Sequence, residues 1–176
     1  MITFARVVSV PLMVWMILGG YFMAAFWVFM AAGASDAIDG IVAKRFNLET
    51  EFGKYLDPLA DKALLVSVYL TLGHQELIVS WLVILVVFRD AMIVGGAILF
   101  DILTHSLNMR PLFISKANTL AQIVLAAAVI GIEAYDIDDP GLVGVMIYLV
   151  GLTTVLSGAA YAITWGRMAV DLEADK

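Results

Sequence analysis

Residues 7–35 carry no charged side chain. At ~1.5 Å per residue a single helix over that stretch would be about 44 Å long, against a hydrocarbon core of ~30 Å. One membrane helix therefore does not account for it. Gly19 and Gly20 stand near its middle and mark a break, so the stretch reads as a helical hairpin. The rest of the chain is similar in kind. Apolar residues make up 62% and charged residues 15%, and the mean hydropathy is +0.97. A soluble domain is nearer one quarter charged and below half apolar. The bilayer is the solvent such a composition calls for. At ~20 residues per crossing, 176 residues hold about six spans and short connections.

The fold expected is all-α, a polytopic membrane protein with six transmembrane helices forming a single domain over 1–176. The spans are placed at 2–18, 21–45, 53–73, 77–103, 115–132 and 141–167. Charge supports this layout. Arg6, Lys44, Arg45, Lys54, Arg110, Lys116, Arg167 and Lys176 all fall on one side. The connections on the other side contain no Lys or Arg, and the longest of them includes Glu133, Asp136, Asp138 and Asp139. The positive-inside rule then puts both termini in the cytoplasm. No basic leader with a cleavage site precedes the first span, which argues against a signal peptide. The small size, with no transit segment, suggests a bacterial plasma membrane. With no cysteine and two histidines, thiol chemistry is excluded and an imidazole zinc site is disfavoured. The net charge of −6 argues against a nucleic-acid partner.

The chemistry-bearing segment is 35–62. Asp36 and Asp39 are three apart at the end of the second span, and Asp57 and Asp61 are four apart at the start of the third. Both spacings place side chains on one helix face. Antiparallel helices joined by a short loop can bring the two pairs together. Four neighbouring carboxylates repel strongly in a low-dielectric site and need cations. An all-oxygen donor set favours Mg²⁺, Mn²⁺ or Ca²⁺. Two such ions would stabilise both the entering and the leaving oxygen of a phosphoryl displacement. Gly40 lets a ligand approach the backbone, and Lys44 and Arg45 are placed to bind phosphate. The plainer reading is a set of interfacial charges at span ends. Matched spacing beside two glycines favours a metal site.

The segment reads Asp36-x2-Asp39-Gly40-x2-Ala43-Lys44-x8-Gly53-x3-Asp57-x3-Asp61. It resembles the signature of the CDP-alcohol phosphatidyltransferase family, D-x2-D-G-x2-A-R-x8-G-x3-D-x3-D. Lys44 is the departure, and lysine lacks the bidentate fork of arginine. The resemblance implies two divalent cations, Mg²⁺ or Mn²⁺, held by Asp36, Asp39 and Asp57 with a contribution from Asp61. It implies that Asp61 is the catalytic base, taking the proton of an acceptor hydroxyl that attacks the lipid-side phosphorus of CDP-diacylglycerol, with CMP leaving. It places Asp36, Asp39, Gly40, Ala43, Lys44, Gly53 and Thr3 around the nucleotide, and it implies a homodimer. Within the family, residues 111–119, the Phe88-Arg89-Asp90 segment and residues 2–6 are similar to the CMP-forming cardiolipin synthases. The expected acceptor is therefore phosphatidylglycerol. Phosphatidylglycerophosphate synthases, which use glycerol 3-phosphate, share much of this pattern.

Arg89 and Asp90 lie inside an apolar span, where an ionisable residue is a functional hypothesis by default. Arg89 is expected to bind an acceptor phosphate, with Lys116 and Asn118 beside it at the entry of span five. The rival reading of Arg89 and Asp90 is a structural pair that closes a helix contact. Lys62 balances local charge. Gly95, Gly96, Gly151 and Gly158 are expected to allow close helix packing. The four tryptophans read as interface or packing residues. A transporter would use intramembrane carboxylates too, but it would be expected to show internal repeats, and none is present.

Overall fold

The computed structural model describes the backbone of residues 2–46, 51–104, 113–139 and 141–174, and the side chains of 8–35, 62–96, 113–139 and 141–166. These residues form six helices: α1 (Ile2–Leu18), α2 (Phe22–Phe46), α3 (Glu51–His74), α4 (Ser80–Thr104), α5 (Phe113–Tyr135) and α6 (Leu142–Ala174). No strand occurs among them. The all-helical expectation holds, and α1 has the expected bounds. By length and composition, Phe113–Tyr135 and Leu142–Gly166 are long and apolar enough to cross a membrane. Val8–Leu18 and Phe22–Ser35 are shorter apolar helical stretches.

The break at Gly19 and Gly20 is a helix stop with a defined mechanism. Gly20 adopts φ 74°, its N–H donates to Ile17 O (3.1 Å), and the Tyr21 N–H donates to Met16 O (2.9 Å). These two bonds satisfy carbonyls that the helix end would otherwise leave orphaned. Tyr21 then folds back on Trp15, with ring centroids 5.4 Å apart. The corner after α3 repeats the pattern. Glu76 has φ 60°, donating to Gly73 O, and Leu77 donates to Leu72 O. Asp136 has φ 50° after α5, and Ile137 donates to Ile132 O. All three odd-numbered helices therefore finish in a left-handed residue at the same end of the bundle, called the closed end below. Asp139, in the longest of the connections without Lys or Arg, caps α6 there. Its Oδ1 accepts from the N–H of Leu142 at 2.7 Å and of Gly141 at 3.1 Å.

The helices close into a ring ordered α1, α2, α5, α6, α4, α3 and back to α1, with α3 also touching α5 across the middle. The Tyr69 hydroxyl makes that central link by donating to the Gln122 carbonyl at 3.0 Å. Met13, Ile17, Leu65, Leu72, Leu82, Leu125 and Ile130 fill the interior. Outward faces are apolar as well: Leu152 is 61% exposed and Ile84 68%. Trp15, Tyr21, Trp81, Tyr135 and Tyr148 are exposed toward the closed end. A girdle of amphipathic aromatics is what a lipid–water boundary selects.

Two tryptophans key α4 to α6. Trp81 of α4 lies 2.8 Å from where a Cβ on Gly151 would be, and the Trp165 ring of α6 occupies the space of a Cβ on Gly96. Gly95, also expected to allow close packing, instead has open space around its would-be Cβ. Gly96→Ala is therefore expected to destabilise by about 1–3 kcal/mol through overpacking. Gly95→Ala should gain about 0.5–1 kcal/mol, the ordinary helix preference. Unfolding of both variants in one detergent checks this. Equal stability of the two would remove the Trp165–Gly96 fit as the cause.

Candidate active site

The four aspartates lie on helices whose backbone is described, while their side chains lie outside the described residues. Asp36 stands 14 residues beyond Phe22, the start of α2, and Asp61 stands 13 residues before His74, the end of α3. Asp39 and Asp57 are each 17 residues from those same termini. Both termini sit at the closed end, where the Gln75 amide of the α3 corner donates to Ile17 O of α1 at 3.2 Å. At ~1.5 Å per residue, Asp36 and Asp61 share a level about 20 Å down, and Asp39 and Asp57 a level about 26 Å down.

Helix register agrees with that placement. The buried stripe of α2 runs through Ala25 and Phe29, and steps of three and four carry it through Ala32 to Asp36, Asp39 and Ala43. On α3 the buried residues Leu72, Val68 and Leu65 continue in the same way to Asp61 and Asp57. Among the described residues, α1 packs against both α2 and α3. How the two carboxylate pairs face one another lies outside the described residues. Thr3, Gly40, Lys44 and Gly53 are likewise placed only as helix positions, their surroundings lying outside the described residues.

The four aspartates supply oxygen donors only, the ligand chemistry that Mg²⁺ or Mn²⁺ takes, and their backbone positions fall at two matched levels. The apolar groove of about 400 Å³ formed by Phe26, Gly131, Tyr135 and Leu142 lies at the closed end, away from these levels.

Arg89 and Asp90 are described fully, and each is 2% exposed. Arg89 Nη1 donates to Asp90 Oδ1 at 2.6 Å, and Nη2 donates to Ser115 Oγ at 2.5 Å and to Ser157 Oγ at 2.6 Å. Lys62 Nζ donates to the same Asp90 oxygen at 2.8 Å. One node therefore joins α3, α4, α5 and α6. It holds two cations and one carboxylate in an apolar bundle, a net +1. Three of the five guanidinium hydrogens are used, and Nε has no protein partner. Arg89 thus closes a helix contact and keeps donor capacity.

Asn118 is fully buried, and its Oδ1 accepts from Thr153 Oγ1 (2.8 Å) and Thr154 Oγ1 (3.0 Å) of α6. Its Nδ2 has no protein partner. Lys116 is exposed in the first turn of α5. Ser157, Thr153 and Thr154 were not singled out by sequence reasoning. Small hydroxyl residues in an apolar span carry no charge signal, and only the buried partners reveal them.

The sequence profile of the CDP-alcohol phosphatidyltransferase family matches residues 1–169. The chain is 34% identical over 187 residues to the chloroplastic CDP-diacylglycerol–glycerol-3-phosphate 3-phosphatidyltransferase 1 of Oryza sativa, covering 96% of this chain and 56% of that protein. It is 28% identical over 191 residues to the CMP-forming cardiolipin synthase of Homo sapiens, covering 99% of this chain and 63% of that protein. A CDP-diacylglycerol–glycerol-3-phosphate 3-phosphatidyltransferase of Bacillus subtilis is 33% identical over 103 residues, covering 58% of this chain and 52% of that protein. The chain thus spans little more than half the length of these relatives. With 169 matched residues out of 176, it belongs to the CDP-alcohol phosphatidyltransferase family.

Proposed function

We propose that the protein transfers a phosphatidyl group from CDP-diacylglycerol to phosphatidylglycerol, giving cardiolipin and CMP. The reading is supported by the matched backbone levels of Asp36, Asp39, Asp57 and Asp61 along α2 and α3, in a chain of this family. Asp36, Asp39 and Asp57, with Asp61, would hold two divalent cations, Mg²⁺ or Mn²⁺, which supply charge neutralisation to the phosphoryl oxygens. Gly40, Ala43, Lys44, Gly53 and Thr3 line the nucleotide side. An Asp61 carboxylate oxygen takes the proton of the acceptor hydroxyl. That hydroxyl oxygen bonds to the lipid-side phosphorus, the bond from this phosphorus to the bridging oxygen breaks, and CMP departs with that oxygen. The acceptor side is Arg89, Lys116 and Asn118. Arg89 Nε and Asn118 Nδ2 are buried donors without protein partners, and Lys116 is exposed in the first turn of α5. Such a donor set suits a phosphate-bearing acceptor.

All six helices would span the bilayer with both termini cytoplasmic. The aspartates would then lie near the cytoplasmic headgroups, and both lipid substrates would enter sideways. The copies would pair as a homodimer. Among the relatives, the rice protein is chloroplastic by name, so the comparisons do not single out a bacterial plasma membrane. The second reading has glycerol 3-phosphate as acceptor, favoured by the names of the rice and B. subtilis relatives.

An assay with radiolabelled CDP-diacylglycerol, Mg²⁺ or Mn²⁺ and a panel of acceptors decides between them. Phosphatidylglycerol is expected to give a product with four acyl chains and CMP. A two-chain product with glycerol 3-phosphate alone would move the protein to the second reading. No CMP with any alcohol would end both.

A further inference from the structure

Arg89 and Asp90 already make a neutral buried pair on α4 at 2.6 Å. Asp90 therefore needs no second cation, yet Lys62 crosses from α3 to bond the same oxygen at 2.8 Å. Neutralising Asp90 does not explain why the partly exposed Lys62 side chain is drawn in to it. Its position offers another reason. Lys62 immediately follows Asp61, and neighbouring helix residues differ by about 100° around the axis. Tying Lys62 to α4 fixes the rotation of α3 and so the angular setting of the turn that carries Asp61. The opposite side of the node, Ser115, immediately precedes Lys116, so the same tie sets α3 against the acceptor-binding end of α5.

We propose that the Lys62–Asp90 ion pair is a positioning device for the transfer reaction. It holds the α3 aspartates in register with the rest of the site and touches no substrate itself. The inference rests on the transferase reading above. Single interhelical hydrogen bonds in bilayers contribute little to stability, whereas a displacement of about 1 Å in a reacting group can cost roughly 100-fold in rate. Loss of the pair should therefore be felt in turnover far more than in folding.

The test uses the full chain in lipid vesicles, following CMP release with both substrates varied. Lys62→Met is expected to lower kcat by about tenfold or more, with KM for CDP-diacylglycerol and the unfolding midpoint nearly unchanged. Lys62→Arg, which still reaches Asp90 with a cation, should recover most of the lost kcat. Asp90→Asn should impair kcat too, and adding Lys62→Met to it should cost little more. Wild-type kcat in Lys62→Met would overturn the proposal. So would a Lys62→Arg variant as impaired as Lys62→Met, additive losses in the double variant, or a loss that only tracks the folded fraction. An active wild type with unaffected variants sinks the positioning role alone. A wild type that releases no CMP sinks the transferase reading, and this role with it.

Discussion

Asp61→Asn should leave a folded protein that still binds divalent cations and has lost about 10²–10⁴-fold in kcat, the range for removing a general base. The substitution keeps the size of the side chain and removes its basicity. The other three carboxylates, Asp36, Asp39 and Asp57, remain to hold metal. KM for CDP-diacylglycerol should change little, because the proton is taken from the acceptor. Metal content and CMP release measured on one preparation check both halves. Normal turnover would remove Asp61 as the base. Loss of metal together with turnover would recast it as mainly a ligand. Asp36→Asn is the useful contrast, since it should weaken metal and nucleotide binding together.

Arg89→Met is expected to give the largest stability change, a loss of about 3 kcal/mol. It deletes one hydrogen bond to Asp90 on the same helix and two that join α4 to Ser115 of α5 and Ser157 of α6, in a site 2% exposed. Two effects limit the loss. Lys62 still neutralises Asp90, and the freed Ser157 hydroxyl can turn to the carbonyl of Thr153, four residues back on α6. Arg89→Lys should cost less, keeping the charge and losing the fork. Unfolding in detergent gives the numbers, and acceptor KM on the folded fraction gives the second readout. A variant as stable as the parent, with a raised acceptor KM, would make Arg89 a binding residue and nothing more. Lower stability with an unchanged acceptor KM would make it structural alone.

Much of this was legible before any coordinates. The end of α1 at Leu18 followed from two glycines, because a left-handed stop is cheap for glycine. The spacing of the aspartates, three apart on α2 and four apart on α3, could be read directly, whereas their levels needed the helix termini at Phe22 and His74. The start of α4 was less legible. Leu77 and Ile78 are apolar and extended the expected span to residue 77, whereas α4 begins at Ser80. Ile78 is a corner residue plugged into the core at 1% exposure, and hydropathy does not separate that from a helix. The end of α6 was missed in the other direction, since the helix continues past Arg167 to Ala174. At 33 residues it runs about 50 Å, longer than the bilayer core. Least legible was who neighbours whom. Chain order suggested the pairing of successive helices, whereas among the described residues α1 packs most on α3 and α2 on α5. A single sequence holds no signal for that, because the apolar faces of all six helices look alike.

The three left-handed corners after α1, α3 and α5 make a hinge-free rim. Carbonyls there are latched by backbone bonds, and Asp139 pins the last corner to α6. Labels on Gly20, Glu76 and Asp136 are therefore expected to register almost no motion when lipid substrate is added.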